Sequence, residues 1–243
     1  MDFFSRSGSW SMETIFKTND ISPQVQRHLA NVYATLAGTL LAAAAGVVAD
    51  LSLHLGGLLT AIAGMATLVW LRTDPDKSNS TKRVGILLLF GVLQGLSLGG
   101  LVGLVLRVDP GILLTALLST VAVFGCFSAS ALVAKRRSYL YLGGVLSTAV
   151  MAMAIASLAN MFLRSSFLLD VHLYVGLVVF CGYTIFDTQM IIEKADLGDR
   201  DFAWHAAELF IDFVAIFVRI CIILLKNQQK RESAEKNRRT NRR

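Results

Sequence analysis

The chain is 243 residues long, 54% hydrophobic and 16% charged, with a mean hydropathy of +0.58. Soluble domains average about 25% charged residues, so this composition argues against a soluble globular fold and against disorder. The net charge of +6 sits wholly in the last 18 residues, which hold eight bases and two acids; the remainder carries fifteen of each sign and is neutral. A basic stripe across a nucleic-acid-binding face is thereby excluded.

The first 29 residues are polar and mixed, without the apolar core of a cleavable signal peptide. They read as a cytosolic N-terminal segment, with Ser22-Pro23 as a helix cap followed by proline at the first helical position. Residues 30–225 form the membrane domain. A bilayer core about 30 Å thick needs about 20 apolar helical residues. Seven segments qualify as candidates, near 30–50, 55–71, 84–106, 111–134, 139–163, 172–192 and 206–225, and Pro23, Pro75 and Pro110 all fall between them. The expected fold is an all-α, polytopic seven-helix bundle. Its last segment is interrupted by Glu208, Asp212 and Arg219, so it is either a central helix shielded by the other six or a re-entrant one.

Twelve Lys and Arg residues gather on one set of connections: the N-terminus, 72–83, 135–138 and 193–205. The opposite short loops carry only Arg107 and Arg164. This bias places the N-terminus in the cytosol. Seven full crossings would put the basic tail on the other side, and the expectation leans to a cytosolic tail instead. Asn79-Ser80-Thr81 is the sole N-glycosylation sequon, and glycosylation at Asn79 would reverse the assignment.

Gly91, Gly95, Gly99 and Gly103 recur every four residues and share one helix face, where small residues let helices approach closely in lipid. Gly38, Ala42 and Ala45 are expected to pack similarly in the first span. Cys126, Cys181 and Cys221 lie in apolar runs at wide spacing, as small core residues rather than as a disulfide framework or a zinc site.

Two acids lie deep in apolar sequence: Asp187 in Tyr-Thr-Ile-Phe-Asp-Thr-Gln, and Asp212 in Leu-Phe-Ile-Asp-Phe. A charge at membrane depth costs about 2.5–3.5 kcal/mol on insertion scales, so each acid must find a partner or lose its charge. Two facing carboxyls can share one proton, and their titration then belongs to the pair. Joined, they lock two helices; deprotonated, they repel and can admit a cation such as Ca²⁺, which favours oxygen ligands. A static buried pair is the plainer alternative. Glu208, Asp212 and Arg219 share a helix face, and Tyr183 and Thr184 stand within one turn of Asp187, so Glu208, Arg219, Tyr183 and Thr184 are candidate supports. Arg219 reads equally well as a structural counter-ion or a snorkelling side chain. His205, at the mouth of the last segment, is expected to be solvated.

No enzyme chemistry is expected. Glu-x-x-His pairs for a di-iron bundle and phosphate-loop fingerprints are absent. The second aspartate lacks the Gly-x-Gly-Asp setting of intramembrane aspartyl proteases, and no proline follows Pro110. No cofactor or resident metal is called for.

Leu173–Val179, Phe186-Asp-Thr-Gln189, Ile191–Ala195, Gly198-Asp199, Leu209–Phe213 and Ala134–Gly144 together resemble the Bax inhibitor-1 family over nearly the whole chain. The serine-rich N-terminus and the Val218–Asn227 run look more like plant members. The resemblance implies an endoplasmic-reticulum membrane protein that suppresses stress-induced cell death and passes Ca²⁺ in a pH-sensitive leak, with Asp187 and Asp212 as a di-aspartyl sensor. Bacterial members add an arginine in the second helix. Here Arg72 stands only at that span's end, leaving Arg219 as the candidate substitute. The resemblance also implies calmodulin binding at the tail 226–243, through Lys226, Lys230, Arg231, Lys236, Arg238, Arg239, Arg242 and Arg243. The apolar anchors calmodulin needs would come from Ile220–Leu225, and a solvated segment lying on anionic lipid is the alternative. A non-conducting scaffold that binds cell-death regulators is the rival to the channel reading.

Overall fold

The computed structural model describes residues 21–76, 80–134, 139 and 141–240. Residues 1–20, Lys77, Asn79, the Lys135–Arg137 cluster, Arg242, Arg243 and the side chain of Lys236 lie outside the described residues. Seven α-helices are seen among those described: α1 (Pro23–Leu53), α2 (Leu58–Thr73), α3 (Ser80–Val108), α4 (Pro110–Val133), α5 (Leu142–Leu163), α6 (Ser166–Asp196) and α7 (Phe202–Thr240). α1, α3, α4, α5 and α6 are long and apolar enough to cross a membrane, while α2 is a shorter apolar helix. The chain is thus an all-α, polytopic membrane bundle.

Local chemistry sets the helix ends. Ser22 Oγ accepts a bond from the Val25 amide at 3.4 Å, with Pro23 beginning α1. Asp109 caps α4 by accepting from the Gly111 amide at 2.7 Å, and Pro110 supplies the preset φ of a first helical residue. α1 stops at His54 and α5 at Arg164, each in the left-handed region (φ 51° and 50°), which turns the chain sharply. Gly198 (φ 96°) does the same after α6.

α7 is the central helix. It packs against α1, α3, α4 and α6, and Ala206, Ala207, Leu209, Phe210, Ile216 and Cys221 are fully buried along it. α2 leans chiefly on α3, and α5 chiefly on α6 with Leu146 its one buried residue. The re-entrant alternative is not met: α7 runs unbroken for 39 residues, about 58 Å at about 1.5 Å per residue. Nor does the helix end at 225 as the span did, because Gln, Lys, Arg, Glu and Ala are good helix formers and carry it through the basic stretch.

The glycine stripe of α3 faces α1. On α3, a Cβ at Gly91 would stand 2.8 Å from the Thr39 carbonyl oxygen of α1, one at Gly95 would meet the Ala43 backbone, one at Gly99 would meet the Asp50 side chain, and one at Gly103 would come to 3.2 Å from Leu51. On α1 the small-residue face is turned from the expectation. Ala43 and Gly46 are buried against α3, Gly46 facing the backbone of Val92 and Leu96, whereas Ala45 is exposed. Only Ala42 of the expected trio lies close to the stripe, 3.4 Å from a Cβ at Gly91; Gly38 keeps ordinary contact with Leu88.

Candidate functional site

The carboxyl groups of Asp187 on α6 and Asp212 on α7 face one another closely enough for each to act on the other. A hydrogen bond between them needs a proton held by one of the two acids, since two bare carboxylates have no donor. Asp212 is 3% exposed, and its Oδ2 is buried without a partner. Neither acid alone would be tolerated at this depth, and the pair halves the charge problem.

Around the pair, Glu208 stands one turn before Asp212 and its charge acts on both aspartates. Glu208 Oε1 accepts from Lys194 Nζ at 3.2 Å and from Trp204 Nε1 at 2.7 Å. The Arg72 guanidinium lies over the Trp204 ring, 4.8 Å from its centroid. Tyr183 is close enough to feel both aspartates. Thr184 is fully buried but turns to its own helix, donating to the Phe180 carbonyl at 3.0 Å.

Arg219 does not reach the acids. One of its amino nitrogens donates to the Ala215 carbonyl at 2.9 Å, its guanidinium lies 4.3 Å over the Phe180 ring, and its Nε is buried without a partner. Among the described residues it makes no hydrogen bond or ion pair with Asp187 or Asp212. Its surroundings are aromatic, and neither a counter-ion nor a snorkelling role describes it. His205 also departs from expectation. It is fully buried, its Nδ1 2.9 Å from Nε2 of His28, with the two rings edge to face. The second turn of α1 covers the position, and nothing local to residue 205 reveals that.

Further polar ties escaped the sequence reading. Arg83 and Asp201 form a buried two-point pair, Nε to Oδ1 at 3.1 Å and the terminal nitrogen to Oδ2 at 2.5 Å, which joins α3 to the start of α7. Asp50, another buried acid, accepts from the Gly56 amide and closes the turn after α1. Lys226 pairs with Asp170 at the start of α6. Of the cysteines, Cys181 and Cys221 are buried as expected and Cys126 is exposed; all three thiols are free. Among the described residues no group of three or more His, Cys, Asp or Glu is placed to hold a metal.

These ties fix the course of α7. It starts beside Arg83 and beside Gln24, which accepts from Arg200, and it reaches Asp170 and Asp109 on the other end of the bundle. The described part of the basic stretch, as far as Thr240, therefore lies towards the end of the bundle opposite the start of α1.

Fold and site together define a polytopic α-helical membrane protein with a facing carboxyl pair between its last two helices. Residues 25–230 match the family described as "Inhibitor of apoptosis-promoting Bax1". The chain is similar to Bax inhibitor 1 of Arabidopsis thaliana, 45% identical over 227 residues, which are 93% of this chain and 92% of that protein. It is 41% identical to Bax inhibitor 1 of Mus musculus and 40% identical to that of Homo sapiens, each over 97% of this chain and the whole of the relative. The chain belongs to the Bax inhibitor 1 family.

Proposed function

We propose that the protein is an endoplasmic-reticulum membrane suppressor of stress-induced programmed cell death that acts as a pH-sensitive Ca²⁺ leak channel, with Asp187 and Asp212 as its gate. The names of its relatives support the cell-death role. The gate rests on one observation, the facing of the Asp187 and Asp212 carboxyls across α6 and α7. While a proton is shared, a hydrogen bond ties the two helices. Its loss leaves two like charges facing each other in a low dielectric, which repel and present oxygen ligands to a cation. Glu208, Lys194, Tyr183 and Cys181 face this pair and set the field in which it titrates. The reading includes no catalysis and no bound cofactor; Ca²⁺ is cargo.

Reconstitution in liposomes tests it. Ca²⁺ flux should rise with pH in the wild type and lose that dependence in Asp187→Asn and Asp212→Asn, whose amides cannot ionise. Flux that ignores pH, or that both variants leave unchanged, overturns the gate.

The tail supports a second partner. Lys226, Lys230, Arg231, Arg238 and Arg239 lie on a helix that continues beyond the bundle, and calmodulin is the acidic partner proposed for it. Calmodulin requires a cytosolic tail, whereas the loop charges favour a cytosolic N-terminus. A crossing α7 allows one of these, and protease protection of terminal tags decides which. If reconstituted protein conducts nothing, the scaffold reading takes over, with this helix as its binding element.

A further inference from the structure

The apolar residues next to the basic stretch of α7 are already in use. Ile220, Cys221 and Leu225 belong to the core of the bundle, at 9%, 0% and 6% exposure, and Phe217 and Leu224 pack against that core. Phe217, Ile220, Cys221 and Leu224 fall at i, i+3, i+4 and i+7, so they share one helix face. That face is turned into the bundle. Leu224 shares a chamber with Ile112 and Thr115 of α4, and Lys226, directly after Leu225, pairs with Asp170 at the start of α6. Past Lys226 the helix continues to Thr240, and Ala234 is the only apolar residue in that stretch.

A partner that grips a helix in an apolar groove needs anchors at this same spacing beside the basic residues. The bundle and such a partner therefore compete for one face of one helix. The projecting part alone offers charge without anchors. We infer that Ile220, Leu224, Leu225, Lys226, Lys230 and Arg231 form a cryptic docking site for an acidic protein with an apolar groove, masked by α4 and α6. The partner seats only on molecules in which the end of the α7 membrane span has come away from Ile112 and Asp170. Its apparent affinity is lowered by the fraction of molecules in that state. Linkage runs both ways: whatever loosens this end of α7 tightens the partner, and the seated partner loosens α7 by the same factor. This site rests on the calmodulin reading of the tail, and calmodulin is its probe.

The full chain in lipid nanodiscs, where both membrane faces are open to solution, can be titrated with fluorescent Ca²⁺-loaded calmodulin. Asp170→Asn and Ile112→Ala lie outside the tail and remove contacts that hold α7, so both should tighten binding. The expected gain is about threefold for the part-exposed ion pair and about fivefold or more for the buried Ile112. Cys221 reports the masking without any partner. Its thiol is buried whereas that of Cys126 is exposed, so maleimide should label Cys126 promptly and Cys221 slowly in the wild type. Each variant should speed Cys221 labelling about threefold or more. Cys126 labelling should stay unchanged and so report an intact fold. Binding that is equal in all three proteins, or weaker in the variants, would overturn the masking and leave the tail's partner standing. Tighter binding without faster Cys221 labelling would place the effect away from this end of α7 and overturn it too. No calmodulin binding by any of the three proteins would sink the calmodulin reading and the docking site with it.

Discussion

His205 Nδ1 and His28 Nε2 meet at 2.9 Å across 177 residues of sequence, pinning the second turn of α1 to the first turn of α7. Neither ring has water to fall back on at this position, so a partner removed is not replaced. His205→Ala should lower stability by about 1–3 kcal/mol from the orphaned His28 alone, with more from the vacated volume. Thermal unfolding in detergent, comparing His28→Ala, His205→Ala and the double variant, checks it. The double variant should cost clearly less than the two single losses added together.

Arg83 and Asp201 should be harder to separate than any surface pair. Removing one member of a buried ion pair typically costs about 3–5 kcal/mol, because the other charge stays buried alone. Arg83→Met should therefore destabilise strongly, and Arg83→Met with Asp201→Leu should recover much of the loss. Asp201 also accepts from the Trp204 amide at the start of α7, so a fraction should persist in the double variant.

Strong acid should loosen the α2–α3 connection. The Lys82 ammonium, 2.8 Å from Asp74 Oδ1, donates to that carboxylate and holds it below the usual carboxylate range. A lowered folded value means the stabilisation is fully present above the ordinary carboxylate range and is lost as pH falls through the folded value. Asp74→Asn should flatten the acid limb of a stability–pH curve and leave the neutral region's slope unchanged.

The glycine seam should tolerate no side chain at its centre. Gly95→Leu would drive a side chain into the backbone of α1 at Ala43; overpacking of this kind costs about 1–3 kcal/mol, and rigid backbone puts it at the upper end or beyond. Gly100, five residues further along α3, has open space, and Gly100→Leu should fold normally. Yield of monodisperse protein separates the two.

Tags placed before residue 1 and after residue 243 should fall on opposite sides of the membrane, since α7 passes from one end of the bundle to the other. Protease protection in sealed microsomes reads this directly, and glycosylation at Asn79 reports the same side as the N-terminal tag.

Much of this architecture is legible in the sequence because hydrophobic length is a one-dimensional property: seven apolar stretches became seven helices, and the glycine period placed one face of α3. Asp187 and Asp212 also announce themselves, as acids where acids are costly. The ties that fix helix against helix do not. Arg83 with Asp201 and His28 with His205 join residues more than a hundred positions apart, and each reads locally as a flanking polar residue. Arg219 misled because helical spacing places it on the face of Asp212, whereas its side chain turns back to Ala215 and Phe180. The end of α7 misled for a different reason. Charge counting presumes that the basic run lies beyond the helix on a chosen side, and the run is part of the helix.

The close approach of α1 and α3 along Gly46, Gly91, Gly95 and Gly99 carries a mechanical consequence. Backbones in contact cannot slide without clashing, so these two helices behave as a weld, with α2 carried on α3. Relative motion is left to the seams of α4 and α6 with α7 and of α5 with α6. A bundle welded along one flank parts along the other, and the Asp187–Asp212 pair lies on the parting line.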